Sequence, residues 1–212
     1  MAGKGQSKQP AGQSEMRIWE QPWGYREGFF VAAGIAFSGL LLQLAVGNIQ
    51  PSLFTFPVNG IFGALFVTGL IAVHFLLPRN RTVRWLAGVY AAVPAMATLL
   101  LLCVILGLTP QFPNNSGNEQ LPSTFFTPLG WYRMTTSWPF VLLCFYILCI
   151  LGLTTLKRTG QKQSWRDIGF YFNHLGLFLA LQGGLLGSAD MERLTMSVNE
   201  GEVEWRASNQ SG

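Results

Sequence analysis

Residues 28–47 read GFFVAAGIAFSGLLLQLAVG, an uninterrupted run without aspartate, glutamate, lysine or arginine. At 1.5 Å per residue, a helix of that length covers about 30 Å, the hydrocarbon thickness of a bilayer. The charge-free run continues to Pro78, with His74 as its only imidazole, and Trp85 to Asn118 repeats the pattern. Of the 212 residues, 50% are apolar and only 11% are charged, against about 25% charged in an average globular protein. A water-facing surface over so large a core would need charge at every turn or two. Lipid is the solvent that this composition suits.

Five segments are long and apolar enough to cross: 28–47, 58–77, 85–108, 138–156 and 168–187. Backbone groups in hydrocarbon must pair within their own segment, so all five are predicted as helices of an all-α membrane protein. Pro94 is expected to kink the third. Lysine and arginine set the orientation. With the N-terminus in the cytoplasm, the inner segments hold Lys4, Lys8, Arg17 and Arg26, then Arg79, Arg81 and Arg84, then Lys157, Arg158, Lys162 and Arg166. Only Arg133, Arg193 and Arg206 remain outside, and every loop obeys the positive-inside rule. Trp85 and Trp165 border the inner face, and Trp131 and Trp138 the outer face, as an aromatic belt would.

The chain thus divides into a polar cytoplasmic tail, 1–27, a membrane domain, 28–187, and an extracytoplasmic tail, 188–212. The first tail has no apolar run that would make it a cleavable signal, and ends in an interfacial segment, Trp19 to Tyr25. The outer loop from Thr109 to Ser137 is predicted to be irregular. In the last tail, Leu194–Val198 and Glu202–Ala207 flank Asn199-Glu200-Gly201 and read as two short strands around a turn. A lone hairpin is marginal in water. The expectation is therefore the opening of a β-rich domain that these 212 residues do not contain, and a truncated polypeptide.

Several function classes lack their residues. The net charge of +4 lies in clusters beside apolar runs, which membrane orientation explains without nucleic acid. Cys103, Cys144 and Cys149 fall inside spans, and there is no C-x-x-C pair for thiol exchange and no C-x-x-C-H of a c-type cytochrome. No carboxylate sits in mid-membrane to relay protons. A Ser-His-Asp set, a phosphate loop and H-E-x-x-H are all missing. The polar side chains within spans are Gln43, Asn59, His74, Asn173, His174 and Gln182, and such groups are functional candidates by default. His174 lies about 9 Å below the cytoplasmic end of the last predicted helix. A neutral imidazole there is either a core histidine bonded to a neighbouring helix or a metal ligand, one nitrogen on iron and the other donating a hydrogen bond. His74, four residues before Pro78, lies in the same half; it either reaches toward headgroups or shares a bis-histidine site with His174. Gly183 with Gly187, and Gly176 with Ala180, permit close helix contact.

The last two spans carry a pattern. Ser137-Trp138-Pro139-Phe140 opens a helix that closes on Leu156-Lys157-Arg158. Ser164-Trp165-Arg166-Asp167-Ile168 and Asn173-His174-Leu175-Gly176-Leu177-Phe178-Leu179 follow, then Gly187-Ser188-Ala189-Asp190-Met191 and Gly201-Glu202-Val203-Glu204-Trp205-Arg206. This resembles the ResB (also called CcsB) family of System II cytochrome c maturation, in its forms with extra N-terminal spans. The resemblance is clearest over 137–207. It implies a multi-pass protein of the bacterial cytoplasmic membrane that works with a CcsA-type partner. The complex moves haem b outward and attaches it to the C-x-x-C-H motif of apocytochrome c. The family's membrane histidine, thought to ligate the passing haem iron, matches His174; His74 matches no family motif. The tryptophan-rich haem-handling motif of the partner is missing from this chain, as are the family's large extracytoplasmic domain and final span. The expected role is an assembly factor with no turnover of its own, haem being its cargo and Arg193 a candidate to meet propionates. The rivals are a b-type haem electron-transfer subunit with His74 and His174 as axial ligands, and a scaffold that never touches haem.

Overall fold

With no charged side chains to hold water at their surfaces, the apolar segments satisfy their backbones as helices. A computed structural model describes residues 19, 22–112, 121–160, 164–165, 167–191, 194–196, 201, 203 and 208–209. The helices are α1 (Tyr25–Val46), α2 (Val58–Leu76), α3 (Arg81–Leu86), α4 (Val89–Leu108), α5 (Trp138–Thr159) and α6 (Asp167–Leu186). Four of them, α1, α2, α4 and α5, are long and apolar enough to cross a membrane, so the chain is a multi-pass membrane protein. The expected fifth span is α6, which has the 20-residue length but falls outside that set. Asp167, Asn173, His174 and Gln182 make it the more polar helix.

Three expectations need correction. The predicted helix 85–108 is two helices, broken at Ala87 and Gly88. Asn80 starts the short α3 by accepting from the Thr82 and Val83 amides at 2.8 and 3.4 Å, so Arg81 and Arg84 lie on a separate helix that precedes the span. The predicted strands are also shorter: Leu194–Thr195 pairs antiparallel with Ser208–Asn209, beyond the expected 202–207. Gly201 has the positive φ (+88°) of a turn; most residues between the two strands lie outside the described set. The outer loop is not wholly irregular, because Trp131–Thr136 forms a 3-10 helix.

Helix α5 is the axis of the bundle. It touches α1, α2, α4 and α6, and Leu143, Cys144, Ile147, Leu148, Ile150 and Leu153 are buried along it. On one side α1 and α4 close against it and each other. There α4 continues as a helix through Pro94. Proline has no N–H for the carbonyl four residues back, and that carbonyl, on Tyr90, faces Gly28 of α1. A Cβ at Gly28 would lie 2.2 Å from it. On the other side α2 and α6 run antiparallel: Asn59 Nδ2 donates to the Leu186 carbonyl at 3.0 Å, and Gln182 Nε2 to that of Gly63 at 3.4 Å.

The topology sorts the connections to two ends. At the basic end, Trp23 meets Trp85 edge to face at 5.4 Å, Lys157 Nζ donates to the Ala87 carbonyl at 3.3 Å, and Arg158 pairs with Asp167. At the opposite end α1 and α5 are joined by neutral amides. Gln43, 2% exposed, donates to Asn48 Oδ1 at 2.8 Å and accepts from the Trp138 amide at 3.2 Å. Asn48 passes the chain on to the Arg133 carbonyl and the Thr136 hydroxyl. Trp138 Nε1 returns a bond to the Gly47 carbonyl at 3.0 Å. Gly130 lies against this clasp in the left-handed region (φ +74°), where a Cβ would be 2.8 Å from Gln43 Nε2.

Candidate functional site

Of the polar side chains picked out within the spans, Gln43, Asn59 and Gln182 hold helices together. Asn59 donates to the Asp190 carboxylate as well as to Leu186, and Asp190 also accepts from the Phe56 amide at 3.0 Å. Asn173 is exposed. That leaves the two histidines.

His174 lies seven residues beyond Asp167, about 10 Å along the helix at 1.5 Å per residue. Its Nδ1 is 3.1 Å from the Phe170 carbonyl oxygen one turn earlier. A carbonyl can only accept, so in this bond Nδ1 carries the hydrogen and the neutral ring keeps its lone pair on Nε2. That is the division of labour of a metal-ligating histidine, one nitrogen oriented by a carbonyl and the other held ready. The ring also stacks on Phe170 with centroids 3.9 Å apart and planes 28° from parallel. It is half-buried, and Nε2 has no partner among the described residues.

His74 is half-buried on α2 and meets the neighbouring Phe75 ring edge-on at 5.3 Å. Neither of its nitrogens has a partner among the described residues. Its level relative to His174 follows from Gly152 of α5, against which both Leu70 and Phe178 pack; a Cβ there would meet them at 2.7 and 3.3 Å. His74 is one turn beyond Leu70, and His174 one turn before Phe178, in helices of opposite direction. Both imidazoles therefore lie about 6 Å nearer the basic end than this pair, on the same helix faces. Arg193 lies outside the described residues.

Sequence reasoning missed what surrounds His174. Arg158, at the end of α5, binds the Asp167 carboxylate and sits 5.7 Å from the centre of the Phe170 ring. Asp167 also accepts from the Ser164 amide at 2.8 Å. The Arg158 guanidinium first, and that amide second, hold the Asp167 carboxyl below the ordinary aspartate range. The signal was present as Ser164-x-x-Asp167, the spacing of a helix-opening capping box, and as Phe170 four residues before His174. Comparisons with family models, curated proteins and solved structures give no match to the chain.

Proposed function

We propose that this protein is a membrane assembly subunit for cytochrome c maturation, with haem b as transient cargo on His174. The observation that carries the reading is the His174 ring, with Nδ1 tied to the Phe170 carbonyl and Nε2 left as a free donor within a membrane domain. An imidazole with an unpaired nitrogen is expensive in hydrocarbon, and an iron ligand offsets that cost. The ResB-like pattern over 137–207 supplies the context. In this reading the N-terminus is cytoplasmic, which the lysine and arginine distribution supports. A CcsA-type partner receives the haem and passes it to the C-x-x-C-H of apocytochrome c at the outer face, and the strand pair after α6 opens a β-rich extracytoplasmic region. The chain itself performs no turnover.

The test is haem titration of purified protein in detergent, followed by its absorbance, for wild type, His174→Ala and His74→Ala. Loss of the bound-haem spectrum in His174→Ala alone, with failed cytochrome c maturation in cells, is the expected result. An unchanged spectrum in His174→Ala overturns the proposal. A second reading, a b-type electron-transfer subunit, draws on the equal depth of the two histidines on neighbouring helices. Stoichiometric, permanently bound haem that each substitution abolishes would favour it. Normal maturation with His174→Ala at wild-type expression would leave a haem-free scaffold.

A further inference from the structure

We infer that Arg158 and Phe170 are positioning residues for His174: the guanidinium fixes the Phe170 ring, and that ring fixes the imidazole plane. The inference deepens the haem-ligand reading and rests on it for its purpose, although the geometry stands on the protein alone.

Asp167, Phe170, Tyr171 and His174 follow the i, i+3, i+4, i+7 spacing that puts side chains on one face of a helix. That face meets the end of α5, where Arg158 is already anchored by Asp167. Asp167 is 7% exposed and also holds the Ser164 amide, so the exposed Arg158 side chain is tied at its tip to a buried carboxylate of the α5–α6 connection. From this fixed point the guanidinium lies 5.7 Å from the Phe170 centroid, within cation–π range. Phe170 then contacts His174 twice, through its carbonyl at Nδ1 and through its ring by stacking. The carbonyl bond alone leaves the imidazole free to swing about its hydrogen bond. The stacked ring removes that freedom and determines where the Nε2 lone pair points. Lys157, next along α5, is committed elsewhere, to the Ala87 carbonyl, and serves as the internal control.

The chain has two histidines, so nitrogen-15 spectra of histidine-labelled protein in mildly alkaline detergent are simple, and His74→Gln assigns them. Wild type is expected to give His174 as a single Nδ1–H tautomer with a narrow resonance. Arg158→Gln and Phe170→Leu are expected to broaden it or mix in the Nε2–H tautomer. Haem affinity should fall about five-fold in Arg158→Gln, the worth of one cation–π contact, and Arg158→Lys should recover part of it. Lys157→Gln should leave the His174 resonance alone. An unchanged tautomer and line width in both Arg158→Gln and Phe170→Leu, in protein with wild-type helix content, would overturn the inference. Equal perturbation by Lys157→Gln would also overturn it, as a mere charge effect. If wild type binds no haem while Arg158→Gln still shifts the resonance, the brace stands and the haem reading falls.

Discussion

Gln43 and His174 are both polar groups in helices that the sequence marks as apolar, and they end in opposite states. Gln43 is closed off from solvent, donates to Asn48 and accepts from the Trp138 amide. His174 is half-buried and commits one nitrogen, leaving a lone pair on the other. A buried carboxamide whose amide and carbonyl each bind a neighbouring segment is closed to a ligand; its effect is to fix α1 against the start of α5. An imidazole with one nitrogen oriented keeps an electron pair on the other. In a membrane, the useful question about a polar residue is therefore how much of its hydrogen-bonding capacity remains unspent.

The contrast can be broken most forcefully from the packing side. Gly28→Ala drives a methyl group into the Tyr90 carbonyl and should cost about 3 kcal/mol, the upper range for overpacking. Unfolding of α1 from α4 in mixed detergent micelles is the measurement; a loss below about 1 kcal/mol would mean that the helices part easily. Gln43→Leu should cost about 2 kcal/mol by stranding the Trp138 amide and the Asn48 side chain. It should leave haem affinity unaltered, since the clasp lies at the far end of the bundle from His174. A matching loss of haem binding would erase the distinction between the two sites. Asn59→Leu removes the link from α2 to Leu186 and Asp190 and should cost about 1 kcal/mol, interhelical hydrogen bonds in bilayers being modest.

The smallest effect is one of pH. The Asp167 carboxyl is held below its ordinary range, chiefly by Arg158. The pair's contribution is therefore complete at neutral pH and down to the ordinary carboxylate range. As pH falls below that range the unfolded chain takes up the proton first, so the contribution declines progressively and is gone below the lowered value. Unfolding midpoints followed down in pH should converge for wild type and Asp167→Asn in strong acid. Convergence already at the ordinary aspartate range would show that Arg158 does not hold Asp167 in solution.

Much of the bundle was legible because its causes are local. Absence of charge from Gly28 to Pro78 and a 20-residue length are properties of a segment by itself, and the helix bounds came out within a few residues for four of the five spans. The exception, 85–108, failed because apolar sequence runs on through Ala87 and Gly88 while the backbone does not. The hairpin was partly readable from Gly201 and misplaced at its second strand, since register is a property of two segments. His174 was singled out by its cost in hydrocarbon and by the ResB-like pattern, whereas the helix-joining bonds of Gln43, Asn59 and Gln182 had no one-dimensional signal.

What the sequence determined alone is that lipid surrounds this chain, that helices are the answer to it, and that basic residues gather toward one end. Composition and spacing suffice for these, because a bilayer imposes the same demand on every segment. Which polar group spends its bonds on another helix, and which keeps a lone pair, only the tertiary structure decided. Hydrogen bonding is satisfied by whatever lies within about 3 Å: here a residue 95 positions away for Gln43, and a carbonyl one turn away for His174.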